Sequence, residues 1–241
     1  VDIFGGKNGL AQFGTFEAIR LVPIPDEVSY EAAAASLISY GTSLLALQQA
    51  QLKPGETLLV TGAAGGVGLT AVETGKQLGA TVIAQARGAE KLAVAKAAGA
   101  DHLIDAGEDL RARVKSLGGA DVVYDAVGGD SWKAAFRATN PGGRLLPIGF
   151  AGGEVPQIPA NHLLVKNLTV IGFYLGGLIQ HRPELGRQTF DLLMQWLAEG
   201  RITPHISHRL PLREVHQGLE LLRSRKATGK VVMLPQAEAL S

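Results

Sequence analysis

The chain has 241 residues, of which 46% are hydrophobic and 19% are charged, a composition typical of a globular protein. Its 23 basic and 22 acidic residues give a formal net charge of +1, which indicates no general affinity for nucleic acids or membrane surfaces. The absence of cysteine excludes disulfides, iron–sulfur clusters and cysteine-ligated zinc within these residues. Because no apolar run reaches the roughly 18 residues of a membrane-spanning helix, and residues 1–10 show no signal-peptide pattern, we expect a cytoplasmic protein.

The middle of the chain alternates short apolar runs, which predict strands, with stretches of helical character. The predicted strands are Thr57–Thr61, Thr81–Gln85, His102–Ile104, Asp121–Asp125, Arg144–Gly149 and Leu168–Gly172. The predicted helices are Gly66–Leu78, Ala89–Ala98, Glu108–Leu117 and Ser131–Thr139. Apolar strands separated by helices are typical of a parallel sheet covered on both faces. We therefore predict the α/β class, with a doubly wound parallel Rossmann sheet.

The segments on either side of this region have a different pattern. Residues 1–30 are rich in turns, and a glycine-rich turn is predicted after Gly172. Beyond that turn, the pattern predicts helices over Pro183–Glu199 and Leu212–Arg225 and strands over residues 205–210 and Lys230–Leu234. These flanks predict a second domain beside the first.

A turn rich in glycine separates the first predicted strand from the first predicted helix. In the segment TLLVTGAAGGVGLTA the turn contains Gly62, Gly65, Gly66 and Gly68. Glycine gives the clearance and the positive φ that let a diphosphate approach backbone amides at a helix N-terminus. Glycines alone are weak evidence, but the surrounding strand, helix and βαβ series favour a dinucleotide site over a turn that binds nothing.

The end of the second predicted strand indicates which dinucleotide would bind. An NAD site usually has an acid about 20 residues after the glycine turn, where it binds the ribose 2′-hydroxyl. No acid occurs from Thr81 to Ala89, whereas Arg87 lies at this position and Lys91 follows in the next helix. Because a guanidinium binds a phosphate dianion bidentately, the sequence predicts NADPH; the alternative is a solvated arginine.

Short-chain dehydrogenases have a similar glycine spacing but need a Tyr-x-x-x-Lys motif for proton transfer. The residues four positions after Tyr30, Tyr40, Tyr124 and Tyr174 are Ala34, Leu44, Gly128 and Leu178. None of these is lysine, and the glycine turn lies more than fifty residues into the chain. Both observations argue against that class.

A series of longer motifs indicates a different family. The motifs, in chain order, are AAASLISYGTSLLAL, LKPGETLLVTGAAGGVGLTAV, GADHLID, DVVYDAVGG, PGGRLLPIGFAGG, IPANHLLVKNLTVIGFYLG and GKVVML. Their succession resembles the quinone oxidoreductase (zeta-crystallin-like) branch of the medium-chain dehydrogenase/reductase superfamily. The resemblance extends over about Gly14 to Pro235.

The resemblance implies a domain organisation. It implies a Rossmann cofactor-binding domain over residues 38–174 and parts of a GroES-like catalytic domain over residues 1–37 and 175–241, with the N-terminal portion of that domain missing. In the zinc alcohol dehydrogenases of the superfamily, a cysteine that ligates zinc aligns with Ile38, which cannot ligate a metal. We therefore predict no metal site.

The resemblance also implies the cofactor contacts. The glycine turn is expected to meet the pyrophosphate, the end of the second strand the adenosine 2′-phosphate, and the ends of later strands the ribose and nicotinamide. The implied residues are Thr42, Gly65, Gly66, Val67, Arg87, Gly88, Lys91, Ala126, Val127, Ile148, Gly149, Phe150, Phe173, Tyr174, Leu175 and Arg225.

The expected activity is zinc-independent hydride transfer from NADPH to a quinone or another electron-poor carbonyl. Alternatives are reduction of 2-alkenals or enoyl thioesters at the same site, or a non-catalytic, crystallin-like dinucleotide-binding protein. Catalytic residues are not identified; Tyr40 is a possible proton donor, although packing at a helix start is the favoured interpretation.

The apolar segment Leu168–Leu175 leads to an expectation about assembly. Its β-prone residues end the predicted strand order, and an uncovered sheet edge of this composition would pair with other chains. Two-fold pairing with a second copy would cover it, and the family commonly dimerises by joining its cofactor-domain sheets. We expect a homodimer through this segment.

Overall fold

The computed structural model describes residues 9–18 and 21–235. The chain forms two compact units: residues 42–174 make one, and the segments on either side of them make the other. The boundary at Thr42 is four residues beyond the predicted start of the cofactor-binding domain at residue 38. It falls within helix α1, Tyr30–Gln49.

The unit of residues 42–174 contains a parallel sheet of six strands. Its order is β3-β2-β1-β4-β5-β6. The strands are β1 Thr57–Thr61, β2 Thr81–Ala86, β3 His102–Asp105, β4 Ala120–Asp125, β5 Thr139–Pro147 and β6 Thr169–Val170. This order, with parallel pairing throughout, is that of a doubly wound dinucleotide-binding fold, so the predicted fold class is confirmed.

Helices connect these strands. They are α2 Gly66–Gln77, α3 Ala89–Ala97, α4 Leu110–Ser116, α5 Gly129–Ala138 and α6 Ala160–Lys166. Successive strand residues point to opposite faces of the sheet, so Leu58 and Val60 belong to one core cluster and Leu59 belongs to the other. The two clusters cover both faces of the sheet, which is why its strands are apolar throughout.

Two strands differ from the sequence prediction. β5 begins at Thr139, earlier than expected, and ends at Pro147. Proline has no amide to donate, but the next amide, on Ile148, donates to the Asp125 carbonyl at 2.7 Å, so pairing continues past it. β6 has only two residues, although an apolar run of five predicted a longer strand.

The flanking unit contains three further helices and a two-stranded parallel sheet. They are α7 Leu175–His181, α8 Pro183–Ala198, β7 Ile206–Pro211, a 3₁₀ turn at Leu212–Glu214, α9 Val215–Arg223 and β8 Lys230–Leu234. The turn predicted at Gly176 and Gly177 is wrong, since both lie in α7. Leu175 and Ile179, four residues apart on one helix face, are buried, and this packing outweighs the low helix propensity of glycine.

None of the described helices is long and apolar enough to cross a membrane. The assignment of the flanking unit to a GroES-like catalytic domain stays a prediction.

Candidate cofactor-binding site

The strand order creates a crevice at the carboxyl edge of the sheet. β1 lies between β2 and β4, so the chain leaves the ends of β1 and β4 towards opposite sides of the sheet. Ligands of open α/β sheets bind at such a switch point. The turn after β1 and the turn after β4 therefore border the expected ligand crevice.

The turn after β1 has a backbone that only glycine permits at two positions. Gly62 adopts a φ of +63°, in the left-handed region. A Cβ on Gly68 would lie 2.2 Å from the Gly62 carbonyl oxygen, so the start of α2 packs directly against the turn. Gly65, between them, is exposed, and its amide donates to the Gly62 carbonyl at 2.9 Å. The turn thus has no room for a side chain where it packs against α2, and it is open to solvent at Gly65.

Helix α2 begins at this open side. Its N-cap residue, Gly65, has no side chain to accept from the first amides of the helix. The first amides of an α-helix have no intrahelical acceptor, and the helix dipole favours an anion at this end. An uncapped twelve-residue helix behind an exposed glycine fits a diphosphate.

A group of buried hydroxyls supports the first turn of α2 from inside the unit. Thr70 Oγ1 and Ser43 Oγ donate to the Val67 carbonyl at 3.0 and 3.3 Å. Ser43 Oγ also lies 2.8 Å from Thr70 Oγ1 and 3.1 Å from the Tyr124 hydroxyl. Burial raises the pKa of Tyr124, so its hydroxyl stays protonated. These contacts fix the backbone at Val67, one of the predicted pyrophosphate contacts.

The turn after β4 is organised by a buried carboxylate. Asp125 is fully buried; its Oδ1 accepts a hydrogen bond from the Thr61 hydroxyl, and its Oδ2 accepts from the Gly128 amide at 2.8 Å. The Thr61 oxygen in turn accepts from the Ala126 amide at 3.3 Å. Burial raises the pKa of Asp125, against the opposing effect of these hydrogen bonds. The pair links the ends of β1 and β4 across the switch point.

The predicted contacts at the ends of β4 and β5 come together beside this carboxylate. The amides of Ile148 and Gly149 donate to the Asp125 carbonyl at 2.7 and 3.3 Å. The Ala126 and Val127 carbonyls accept from the amides of residues 151 and 152 at 3.1 and 2.8 Å. A Cβ on Gly62 would lie 3.0 Å from Val127 Cγ2, so the turns after β1 and β4 are in contact.

The end of β2 carries the predicted adenosine contacts. Arg87 and Gly88 are exposed, Gly88 has a φ of +83°, and Lys91 lies in the first turn of α3. The structure also places an acid here that the sequence reasoning did not include. Asp105, at the end of β3, pairs in register with Ala86, and its Oδ2 accepts from the Gly88 amide at 2.6 Å.

The other predicted residues are less closely grouped. Within residues 42–174, Thr42 and Phe173 are half-buried, whereas Phe150 and Tyr174 are 46% and 78% exposed. Leu175 and Arg225 belong to the flanking unit, as does Tyr40, which is fully buried there. Complete burial of Tyr40 favours the packing interpretation, and its role as a proton donor stays a prediction.

Sequence reasoning missed Thr61, Asp125, Ser43 and Asp105. Three of these polar residues share a signal, since each ends an apolar strand at the carboxyl edge: Thr61 in β1, Asp125 in β4 and Asp105 in β3. Ser43 had no comparable signal, because its partners are 24, 27 and 81 residues away in the chain.

The described residues contain no group of three or more histidine, aspartate or glutamate side chains placed to hold a metal ion. Ile38, where the resemblance aligns a zinc-binding cysteine of related enzymes, is 45% exposed.

Comparison with known proteins places this site in a family. Residues 66–199 match the family model described as zinc-binding dehydrogenase. The chain is 40% identical over 240 residues to a quinone oxidoreductase-like protein 2 homolog of Nematostella vectensis, covering 97% of this chain and 66% of the relative. It is 34% identical to a quinone oxidoreductase of Pseudomonas aeruginosa, covering 90% and 68%. The chain thus spans about two thirds of the length of these relatives.

Solved structures agree with these matches. The quinone oxidoreductase of Escherichia coli, complexed with NADPH, superposes with a TM-score of 0.82 at 32% identity, over 90% of this chain and 69% of that one. The quinone oxidoreductase of Thermus thermophilus, also solved with NADPH, gives a TM-score of 0.80 at 34% identity, over 89% and 69%. The predicted family is therefore confirmed: the chain belongs to the quinone oxidoreductase branch of the medium-chain dehydrogenase/reductase superfamily.

Proposed function

We propose that the protein is a zinc-independent NADPH:quinone oxidoreductase. The observation that carries the proposal is the open glycine turn before the uncapped N-terminus of α2, at the switch point of the sheet. Relatives named quinone oxidoreductases, two of them solved with NADPH, support the cofactor and the acceptor class.

The residues of the carboxyl edge would hold the cofactor. The backbone at Gly65, Gly66 and Val67 would bind the diphosphate, since the exposed turn lets an anion reach the helix amides. Ala126 and Val127, held in place by Asp125 and its neighbours, would border the ribose. When bound, NADPH supplies the hydride that reduces the acceptor.

Preference for NADPH over NADH would come from the end of β2. Arg87 is exposed there and has no acid beside it on the same strand end. The nearby carboxylate of Asp105 accepts from two backbone amides, of Gly88 and Gly107, so it is engaged by the loop itself. A guanidinium in this position suits a phosphate dianion better than a ribose hydroxyl.

Catalysis would rest on orientation of the two reactants. Holding them in reactive geometry supplies roughly 7–11 kcal/mol of the barrier. A reduced quinone takes its protons from water, so the reaction requires no acidic side chain. Ile38, at the position aligned with a zinc ligand, supports chemistry without a metal.

The test is turnover by the full-length protein. We expect saturable loss of NADPH absorbance with a simple quinone, and a kcat/KM with NADH at least about tenfold lower. The matched control is Gly65→Val, whose side chain would fill the exposed turn. Turnover by the wild type no faster than by this variant would refute the proposal. Turnover of 2-alkenals without turnover of quinones would reassign the acceptor.

We also propose a homodimer joined through Leu168–Leu175. β6 lies at one end of the strand order, and Tyr174 in the same segment is 78% exposed. Sedimentation of the full-length protein is expected to give a dimer, and Tyr174→Asp is expected to shift it towards monomer. A wild-type monomer at micromolar concentration would contradict the proposal.

A further inference from the structure

Asp105 connects two turns at the adenosine end of the candidate site. It is the last residue of β3 and lies in register with Ala86, the last residue of β2. Its Oδ2 accepts from the Gly88 amide at 2.6 Å, and its Oδ1 accepts from the Gly107 amide at 2.8 Å. One carboxylate therefore ties the turn after β2 to the turn after β3.

The turn after β2 depends on this link for its shape. Gly88 has a φ of +83° and is the N-cap of α3, where it has no side chain to fix the entry into the helix. Arg87 immediately precedes it and is exposed. A bond that holds the Gly88 amide therefore also sets the direction in which Arg87 leaves the sheet.

The surroundings of Asp105 hold it in place in turn. Its own amide donates to Glu108 Oε1 at 2.8 Å, and its carbonyl accepts from the Glu108 amide at 3.0 Å. The Ala106 amide donates to the Ala86 carbonyl at 2.9 Å, which continues the pairing of β2 and β3 beyond the strand ends. These hydrogen bonds fix the backbone that carries the Asp105 carboxylate.

The electrostatics are consistent with an ionised Asp105 next to Arg87. Hydrogen bonds from the Gly107 and Gly88 amides lower the pKa of Asp105, and the positive charge of Arg87 lowers it further. An acid that binds a ribose hydroxyl lies at the end of β2 and uses its oxygens for that contact. Asp105 stands on β3 instead, and each oxygen accepts from a loop amide.

We propose that Asp105 is a positioning residue for cofactor selection: by holding the Gly88 turn, it places the Arg87 guanidinium against the 2′-phosphate of NADPH. The inference rests on the proposed binding of NADPH at this edge. It predicts that Asp105 affects binding of NADPH and leaves binding of NADH, which lacks that phosphate, nearly unchanged.

The experiment is a fluorescence titration of the full-length protein with NADPH and with NADH. In Asp105→Asn one carboxylate oxygen becomes a donor, so one of the two loop bonds is lost. We expect a Kd for NADPH about tenfold higher and a Kd for NADH within about twofold of the wild type. Asp105→Glu keeps the charge but displaces the carboxylate oxygens. The same selective loss of NADPH affinity is therefore expected.

The control is Asp101→Asn, just before the other end of the same strand. Asp101 Oδ2 accepts from the Val82 amide at 2.7 Å and pairs with Lys76 at 2.8 Å, so it also ties β3 to its neighbours. Its loss is expected to lower the Tm without changing the ratio of the two Kd values. A double-mutant cycle adds the specific signature: in an Arg87→Ala background, Asp105→Asn is expected to cause no further loss of NADPH affinity.

The outcomes separate the two proposals. If the wild type binds NADPH and Asp105→Asn binds it equally well or more tightly, Asp105 is not a positioning residue but a bystander or a repelling charge. Equal weakening of both cofactors, or an undiminished effect without Arg87, would also overturn the inference. A wild type that binds neither cofactor would refute the proposed function and the inference with it.

Discussion

At the amino edge of the six-stranded sheet, the partly buried Glu56 carboxylate is paired with a cation; at the carboxyl edge, the buried Asp125 carboxylate accepts hydrogen bonds from uncharged donors. The Arg144 guanidinium, 18% exposed, pairs with Glu56 at 2.6 Å and also donates to the Ala50 and Gln51 carbonyls at 2.9 and 3.2 Å. The fully buried Asp125 at the opposite edge accepts from the Thr61 hydroxyl and the Gly128 amide, both uncharged.

The two carboxylates therefore have different roles: Glu56 stabilises the fold, and Asp125 supports the proposed site. The partly buried ion pair joins β5 to the residue before β1 and stabilises the sheet. A buried carboxylate held by neutral donors costs solvation free energy, yet it fixes two turns that face the proposed cofactor. Buried polar groups that cost stability are expected at functional sites, where they position the residues that bind a ligand.

The largest expected effect is loss of cofactor binding when the open turn is filled. In Gly65→Val, the added Cβ would lie 3.3 Å from the Gly62 carbonyl oxygen, and Gly65 does not need a positive φ. The fold is therefore expected to survive while the side chain blocks the diphosphate, raising the NADPH Kd more than about a hundredfold.

The matched control is Gly9→Val, since Gly9 is exposed and an added Cβ there meets no atom within 4 Å. It is expected to bind NADPH as the wild type does. Isothermal titration of both variants makes the comparison, and normal binding by Gly65→Val would move the diphosphate elsewhere.

Next in size is the effect of Arg87→Ala on cofactor choice. Loss of a charge-assisted contact to the 2′-phosphate is worth about 1.5–3 kcal/mol, roughly ten- to hundredfold in NADPH Kd. NADH lacks this phosphate, so its Kd is expected to change little. Parallel titrations measure both, and equal losses would argue against a phosphate contact at Arg87.

At the amino edge, Arg144→Ala is expected to lower the free energy of unfolding by about 2 kcal/mol, because it leaves Glu56 partly buried without its partner. The NADPH Kd is expected to stay the same. Urea denaturation measures the first quantity. The control is Arg113→Ala, whose pair with Glu108 is 47% and 41% exposed, with an expected cost of at most about 0.5 kcal/mol.

If Arg144→Ala reduced the free energy of NADPH binding as much as it reduced the free energy of unfolding, the two edges would not have separate roles.

The smallest expected effect is a difference in pH dependence between the edges. The Arg144 hydrogen bond lowers the pKa of Glu56 below 4.5, so its stabilising contribution is present above pH 4.5 and is lost as pH falls. Burial raises the pKa of Asp125 above 3.8, so the folded state favours its protonated form and stability falls as pH rises through the folded pKa.

Urea denaturation across acidic pH tests these opposite signs. Glu56→Gln is expected to reduce the loss of stability on acidification, and Asp125→Asn is expected to remove the loss on raising the pH above the folded pKa of Asp125. If the two substitutions changed the pH dependence of the free energy of unfolding with the same sign, the predicted difference between the two edges would be contradicted.

The sequence predicted the sheet well because its signals are local. Apolar runs such as TLLVT and DVVYD, each followed by glycine or a turn, gave β1 and β4 at nearly the observed positions. Helix α6 was missed, although Pro159 as N-cap and Asn167 at a φ of 52° are the start and stop signals of a helix. A seven-residue helix has too short an apolar pattern to be seen by periodicity.

The candidate site was predictable only where backbone alone defines it. The glycine turn and the arginine at the end of β2 follow from local spacing. The side chains that support them come from other strands: Asp125 reaches Thr61 across 64 positions, and Asp105 reaches Gly88 across 17. Such pairings depend on strand order and register, which a single sequence does not supply.

Hydrogen–deuterium exchange of the full-length protein, with and without NADPH, tests the contrast between the edges most directly. NADPH is expected to slow exchange at residues 62–70, 87–91 and 126–128, the turns of the carboxyl edge. Residues 53–56 and 140–144, at the amino edge, are expected to exchange at unchanged rates. Protection confined to the amino edge, or no protection at saturating NADPH, would contradict the assignment of the cofactor to the carboxyl edge.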